Sequence, residues 1–412
     1  MTSLPPVVIL VAKAFQRPDI PRAKQEAEAL MDAGYSVHVL AWDRYGEFPR
    51  REIVDGIIVH SFSPVNLTKF SRLALALGGL LIQPILLIEA IKLVRILKTR
   101  PIIHAHDVNT LLVGTVLKSL HLCYGLVYDC REFTFGVYYE WYNLLIACIV
   151  RVLEEKCLRI ADTIITVSDP IRDYLCTFNE SIEVIYNCPS TGQIPRISKG
   201  DARTYLGLPV DAFIVSCVGT LRYDLQMDLL LSVASLTKTS NIRYVVVGEG
   251  PLAARFSDSA AKIRGIRLTI RPRVSREKAL AYVSASDLTW AVYQNKAESF
   301  NPRMTVPWKF FESLACGVPV IVEAGTFRAE LVKKLKCGVV LESDRPQHVS
   351  QIILSLSKHP EQLHILATHA KSAAVRTFNW EAMSARLVDV YRRLRRPARS
   401  KQSFARQSGQ AG

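Results

Sequence analysis

None of the cysteines stands at C-x-x-C spacing from another, and the nine in the chain form no Cys/His cluster of zinc-site type. An odd, scattered set argues against a disulfide framework and for reduced thiols, as in a cytoplasmic protein. The first residues, Met-Thr-Ser-Leu-Pro-Pro, lack a charged segment followed by an apolar core and run straight into the strand candidate Val7–Val11, so no secretory leader is expected there. The uncharged stretch from Leu73 to Ile88 has 16 residues and contains Gly78, Gly79, Gln83 and Pro84. It is shorter than the ~20 residues that span a bilayer. The first strand is followed by Ala-Lys-Ala-Phe-Gln-Arg-Pro-Asp, with no G-x-G-x-x-G, which argues against a dinucleotide dehydrogenase. Acidic residues are outnumbered 37 to 52, giving a net charge of +15. No helix-turn-helix, zinc-finger or aromatic-basic RNA motif accompanies that charge, so nucleic acid is not the expected partner. Anionic lipid head groups and sugar diphosphates fit it better.

An apolar content of 49% over 412 residues is ample for two cores and argues against disorder. Short apolar runs alternate with helical stretches throughout. In the first half the strand candidates are Val7–Val11, Val37–Ala41, Gly56–Val59, Ile102–Ala105, Gly125–Tyr128, Thr163–Val167 and Glu183–Tyr186, with helices over Arg22–Ala33 and Asn109–Leu120. A second series runs through Phe213–Val218, Tyr244–Val247, Arg267–Thr269, Leu288–Val292, Val318–Val322 and Gly338–Leu341. This pattern predicts an α/β protein with two Rossmann-like, doubly wound domains facing one another, and a ligand cleft at the carboxyl ends of their strands. The Pro/Ser/Gly-rich break at 189–200 reads as a linker between a domain over 1–188 and another over 201–375. A terminal helix follows over 376–396, then a basic tail, 397–412, expected to be disordered.

The richest segment is Phe300 to Val322. Pro307 is suited to a helix start and Gly317 to the left-handed residue just past its end, ahead of a buried strand. A helix start offers free N–H groups and partial positive charge to a phosphate. Lys309 adds a full charge, and Glu312, one turn on, can accept from a sugar diol. A core helix with solvated Lys and Glu fits the same spacing.

Pro307, Lys309, Glu312, Leu-Ala-Cys-Gly over 314–317 and the following Pro-Val-Ile resemble the donor-site motif of family 4 glycosyltransferases, which have the GT-B fold. The resemblance implies that Glu312 holds the ribose of a nucleotide-sugar. The family pattern carries a second glutamate eight positions earlier, facing the transferred sugar; here that position is Met304, and Glu298 nearby substitutes only with a longer or differently folded loop. Gly219-Thr220-Leu221-Arg222 resembles the start of the donor domain, although Asp224-Leu225-Gln226 stands where the family has Lys-Gly, leaving Arg222 and Lys309 to carry the diphosphate. Gly248 lies in a matching strand-end turn, and Arg273 where backbone meets the base. In the first domain, His104-Ala105-His106-Asp107 resembles a family segment whose second histidine approaches the transferred sugar; a metal site there would need further ligands, none evident. Asp129-Cys130-Arg131-Glu132 resembles the family's Asp-x-His-Glu, making Asp129 and Glu132 candidates for acceptor hydroxyls or helix caps. Pro21-Arg22 resembles a subgroup's acceptor-side loop.

These matches run from about Val7 to Leu394 and imply a retaining, metal-independent glycosyltransferase that needs no cofactor. Its expected partners are a nucleotide-sugar donor and a glycan or lipid-linked acceptor, in cell-surface polysaccharide biosynthesis. Lys92, Arg95 and Lys98, with Leu87, Ile91 and Val94 on another side and Tyr138 to Trp141 nearby, predict contact with an anionic membrane surface, peripheral at its inner face. A GT-B epimerase or hydrolase, and a noncatalytic binding subunit suggested by Met304 and the missing Lys-Gly pair, remain alternatives.

Overall fold

The computed structural model describes residues 4–15, 21–63, 72–294 and 300–395. The amino-terminal lobe comprises β1 (Val7–Val11), α1 (Pro21–Asp32), β2 (Val37–Trp42), β3 (Arg51–Val54), β4 (Ile57–Phe62), α2 (Arg72–Leu97), β5 (Ile102–His106), α3 (Val108–Ser119), β6 (Gly125–Cys130), α4 (Thr134–Trp141), α5 (Leu144–Leu158), β7 (Thr163–Thr166), α6 (Asp169–Leu175) and β8 (Ile182–Val184). Its strands lie in the order β3-β4-β2-β1-β5-β6-β7-β8. All neighbours pair in parallel except β3 with β4. Strands covered on both faces need apolar side chains at every position, and Val7 to Val11 are all buried. Sequence reasoning missed β3 because Arg-Glu-Ile-Val is a half-exposed edge strand whose pattern is weak. It returns through an Asp55-Gly56 turn with both residues at positive φ, 52° and 84°.

The second lobe comprises α7 (Lys199–Leu206), β9 (Phe213–Val218), α8 (Met227–Leu236), β10 (Ile242–Val247), α9 (Ala253–Ala261), β11 (Leu268–Arg271), α10 (Arg276–Ser284), β12 (Leu288–Trp290), α11 (Phe300–Met304), α12 (Trp308–Ala315), β13 (Val320–Glu323), α13 (Phe327–Leu335), β14 (Gly338–Leu341), α14 (Pro346–Lys358) and α15 (Pro360–Arg376). Its six strands, all parallel, run β11-β10-β9-β12-β13-β14. The expected pair of Rossmann-like domains is thus present. The tail beyond residue 395, expected to be disordered, lies outside the described residues, as does Glu298.

The last helix, α16 (Trp380–Leu394), packs on α1 and β8 of the first lobe. Its Tyr391 hydroxyl lies 2.7 Å from His104 Nδ1. An aromatic trio joins the lobes: the Tyr186 ring lies 5.6 Å from Phe311 on α12 and 5.1 Å from Phe378, and those two stack at 5.2 Å. Burial of three rings at one junction fixes α12 against the end of the first lobe.

One expectation needs correcting. Pro84 lies inside the single helix α2, and no described helix is long and apolar enough to cross a membrane. Leu86, Ala90, Leu93 and Val94 are buried, and Leu87 and Ile91 pack partly against the same core, so the apolar side of α2 faces the sheet.

Candidate active site between the two lobes

The carboxyl ends of β5 and β6 carry a buried polar cluster. Arg22, on α1, donates from Nε and Nη2 to the two Asp129 oxygens, both at 2.9 Å, and from Nη1 to the Ile185 carbonyl at 2.7 Å and Asn187 Oδ1 at 3.0 Å. Its Nε also lies 2.9 Å from Glu26 Oε1. His106 sits between two carboxylates, with Nε2 3.0 Å from Glu26 and Nδ1 3.3 Å from Asp129. His104 stacks on His106 at 4.7 Å. Every member is at most 2% exposed. Burial works against the Glu26 charge, but Arg22 and then His106 outweigh it and hold the carboxyl well below its usual range. Burial pushes His104 down to about 3, so it is neutral. Glu26, His104, His106 and Asp129 bring ligand-type atoms within 4.8 Å of one another. The sequence offered the two histidines alone; the fold adds Glu26 and Asp129 to them, and the Arg22 guanidinium engages both carboxylates.

This placement corrects two expectations. Arg22 and Asp129 do not face an acceptor, because each occupies the other's hydrogen-bonding groups inside the lobe. His106 likewise has carboxylates against both ring nitrogens. Beside them, Asp107 turns the chain from β5 into α3 at φ 61°, in the left-handed region where a non-glycine residue is strained. Arg131 grips its carboxylate through Nε at 3.0 Å and through Nη2. Glu132 lies next to this pair. Burial and then Asp107 raise its pKa, opposed by Arg131 and, less strongly, by Arg222 of the other lobe and Lys13.

In the second lobe, the loops after β9 and β10 cross in close contact. Gly219 N–H donates to the Val247 carbonyl at 2.9 Å, and Leu221 N–H to the Glu249 carbonyl at 2.9 Å. A side chain at Gly248 would place its first carbon 2.0 Å from the Gly219 carbonyl oxygen, so only glycine fits. Against this crossing stands Lys309, whose Cε and Nζ lie 3.5 and 3.8 Å from where a Gly219 Cβ would be. Its ammonium is buried and makes no hydrogen bond among the described residues. Burial opposes the charge; the Tyr293 and Cys217 side chains more than offset it, leaving the pKa above the usual lysine value.

Helix α12 begins after Pro307, which is extended (ψ 154°) and precedes the first helical residue rather than occupying it; no side chain caps the start. Gly317 closes the other end at φ 72°. The loop before the helix is pinned by Arg328, 1% exposed, which donates to the Pro302 carbonyl, to the Thr305 carbonyl at 3.2 Å and to Glu323. Its guanidinium lies 4.7 Å from the Tyr293 ring, and Lys309 Nζ 5.8 Å from the same ring.

Glu312 is not open to a diol alone: Arg276 Nη1 holds its Oε1 at 2.8 Å and lies 5.7 Å from the Trp308 ring. Arg222 is solvent-reached and pairs with Asp224 at 3.2 Å, and Arg273 is exposed in the loop after β11. Sequence reasoning missed Glu26, Arg276 and Arg328. Arg276 directly follows the N-cap Ser275 of α10, which was a readable signal; the other two had none.

The lobes meet beside this site. Phe133 N–H donates to Asn301 Oδ1 at 2.8 Å, and the Phe300 ring lies 6.0 Å from Phe135 and 5.8 Å from Tyr139. Gly136 lets α11 approach, since a Cβ there would sit 2.8 Å from that of Phe300. Met304, in the glutamate position of the resemblance, packs against the first lobe's core, which explains an apolar residue there. The segment leading into α12 therefore lies where the two lobes meet. A separate cavity of about 390 Å³, lined by Arg196, Ser284, Cys316 and Lys371, lies under the linker, away from the strand ends.

Two family models match the chain: Glycosyltransferase Family 4 over residues 22–191 and Glycosyl transferases group 1 over 199–373. The chain is 28% identical over 259 residues to D-inositol 3-phosphate glycosyltransferase of Streptosporangium roseum, covering 58% of this chain and 57% of that protein. The corresponding protein of Xylanimonas cellulosilytica is 26% identical, with 60% and 61% covered. The match thus spans less than two thirds of either relative. Among solved structures, sucrose-phosphate synthase from Thermosynechococcus elongatus superposes with a TM-score of 0.74 at 18% identity, covering 94% of this chain and 99% of that one. HepE from Anabaena, in complex with UDP-glucose, gives 0.68 at 14% identity, with 94% and 99% covered. With one model on each lobe and the same two-lobed architecture in its neighbours, the chain belongs to the family 4 glycosyltransferases of GT-B fold.

Proposed function

We propose that the protein transfers a sugar from a nucleotide-diphosphate sugar to an acceptor hydroxyl, with retention at the anomeric carbon and without a metal ion. The observation that carries this reading is the buried, unpartnered Lys309 ammonium beside the Gly219–Gly248 crossing and the uncapped start of α12. A cation desolvated without a hydrogen-bond acceptor is a site for an anion that arrives with the substrate. Lys309, the N–H groups after Pro307 and the backbone at Gly219 and Gly248 would receive the diphosphate. Glu312, oriented by Arg276, would take the ribose, and the loop at Arg273 the base. Arg222 would turn from Asp224 toward the leaving phosphate as charge develops.

In the transfer, the bond between C1 and the diphosphate oxygen breaks, and its electron pair leaves with the phosphate. The acceptor oxygen bonds to C1 on the same face, and its proton passes to the departing phosphate oxygen. Lys309 and Arg222 stabilise that negative charge, a preorganised electrostatic effect. Glu132, at the crevice on the other lobe, is placed to orient the acceptor hydroxyl. His106, held by Glu26 and Asp129, shapes the floor below the sugar. UDP-glucose in the HepE structure supports a nucleotide-sugar as donor. The acceptor we propose is a lipid-linked or cell-surface glycan precursor at the cytoplasmic face of the membrane, in line with WaaG, a lipopolysaccharide glycosyltransferase of similar fold (TM-score 0.63, 12% identity, 93% and 99% covered).

Thermal-shift screening against UDP, GDP, ADP and their sugar conjugates tests the donor. One nucleotide class should stabilise the protein, and Glu312→Gln should weaken that shift. A radiolabelled donor then separates transfer from hydrolysis or epimerisation: label must move into acceptor, and release of free sugar or altered nucleotide-sugar alone defeats the proposal.

A further inference from the structure

The outer surface of α5 is apolar where a surface helix is ordinarily charged. Leu145, Ile149 and Val152 recur at helical spacing and are 69%, 52% and 49% exposed, with Leu144 and Leu153 beside them and Cys148 exposed between. The buried side of the helix is Ala147, Glu154, Cys157 and Leu158. Trp141 and Tyr142 precede the stripe, the former 74% exposed. Among the described residues, seven of the 21 exposed large hydrophobic ones thus fall within Trp141 to Leu153, so this is one patch and not scattered exposure. Ile88 on α2 and Leu112 on α3 add exposed apolar side chains on the adjoining helices.

We infer that the α4–α5 surface seats the protein on an anionic lipid bilayer, with the α5 stripe in the acyl–head group boundary. Three features favour lipid over a protein partner. From Trp141 to Leu153 the only charged residue is Arg151, and toward the far end of α5 Glu154 is buried and Glu155 pairs with Arg151 at 2.8 Å, leaving Lys156 and Arg159 to meet anionic head groups. The stripe opens with Trp and Tyr, whose rings have an apolar body and a polar tip suited to that boundary. Its position also matters: α4 touches the second lobe through Gly136 and Phe300, so the patch begins beside the crevice, and a substrate held in the bilayer would enter there. Of the surface predicted from sequence, the apolar side of α2 is buried against the sheet and cannot serve, whereas Trp141 of the aromatic cluster is exposed and opens the patch. The inference rests on the proposed acceptor reading only for what the bilayer presents; binding itself is read without turnover.

Co-sedimentation with vesicles of phosphatidylcholine plus phosphatidylglycerol tests it, with pure phosphatidylcholine vesicles as the second arm. The protein should bind the mixed vesicles, more weakly the neutral ones. Leu145→Glu/Ile149→Glu should reduce binding about tenfold or more, since two side chains leave the apolar phase. The same variant should keep its melting profile, its nucleotide thermal shift and its transfer to a water-soluble acceptor analogue. Arg95→Gln/Lys98→Gln on α2 should leave binding within about threefold of the unmodified protein, since these charges lie off the α4–α5 surface and act on the bilayer only through a screened field. Absence of vesicle binding by the unmodified protein, or equal binding by the α5 variant, overturns the inference while leaving the transfer reaction intact. So does a concentration-dependent dimer in sedimentation velocity that Leu145→Glu/Ile149→Glu abolishes without any vesicle binding.

Discussion

The strand ends of the two lobes present opposite electrostatic designs. In the first lobe, the buried charges at the ends of β5 and β6 stand in ion pairs, Arg22 with Asp129 and Glu26, and the half-buried Arg131 holds Asp107. In the second, Lys309 stands buried beside bare backbone and makes no hydrogen bond among the described residues. A paired buried charge holds architecture together, and breaking the pair leaves an uncompensated ion. An unpaired one awaits a counter-ion. That difference is what our proposed function builds on: the anionic substrate binding at the second lobe, over the first lobe's cluster.

Substitutions can break that contrast. The largest effect is expected from Arg22→Met, which strands Asp129 and Glu26 in the interior; loss of about 3–5 kcal/mol in denaturant unfolding is the expected result. A variant of normal stability with only acceptor affinity altered would put Arg22 back at the substrate. Lys309→Met should behave inversely: turnover drops by about 10²-fold, because one transition-state donor is lost, while the melting temperature holds or rises. Steady-state kinetics alongside calorimetry read both.

Glu154 sharpens the contrast, since it is a buried acid of the first lobe with no cation paired to it among the described residues. Its carboxylate accepts from Tyr128 and Thr134 hydroxyls, both at 2.6 Å, and burial raises its pKa to about 7. The folded state therefore keeps a proton that the unfolded chain releases near 4.5. The stabilisation is fully present below about pH 4.5 and is lost as pH rises to about 7. Glu154→Gln, permanently neutral, should match the unmodified protein at low pH and exceed it by about 1–3 kcal/mol at pH 8. Parallel pH–stability curves would show that Glu154 is ionised in the fold.

Much of the architecture was legible because parallel strands covered on both faces leave uninterrupted apolar runs; β1, β9 and β14 match their expected bounds. The start and stop of α12 were legible from Pro307 and Gly317, whose backbone preferences are local. The polar cluster was not: Arg22 meets Asp129 across 107 residues and His104 meets Tyr391 across 287, and nothing local marks such pairs. The same limit misplaced the membrane-facing side of α2. Periodicity shows that a helix has an apolar side, but only the packed fold shows whether that side is covered, as on α2, or left outward, as on α5.

Helix α16 follows the whole second lobe in the chain yet docks on the first, where Tyr391 reaches His104. A ribosome must finish the entire second half before the first can seal its own interior. Until then the nascent first half waits with an open flank, and removing α16 would leave that flank open for good.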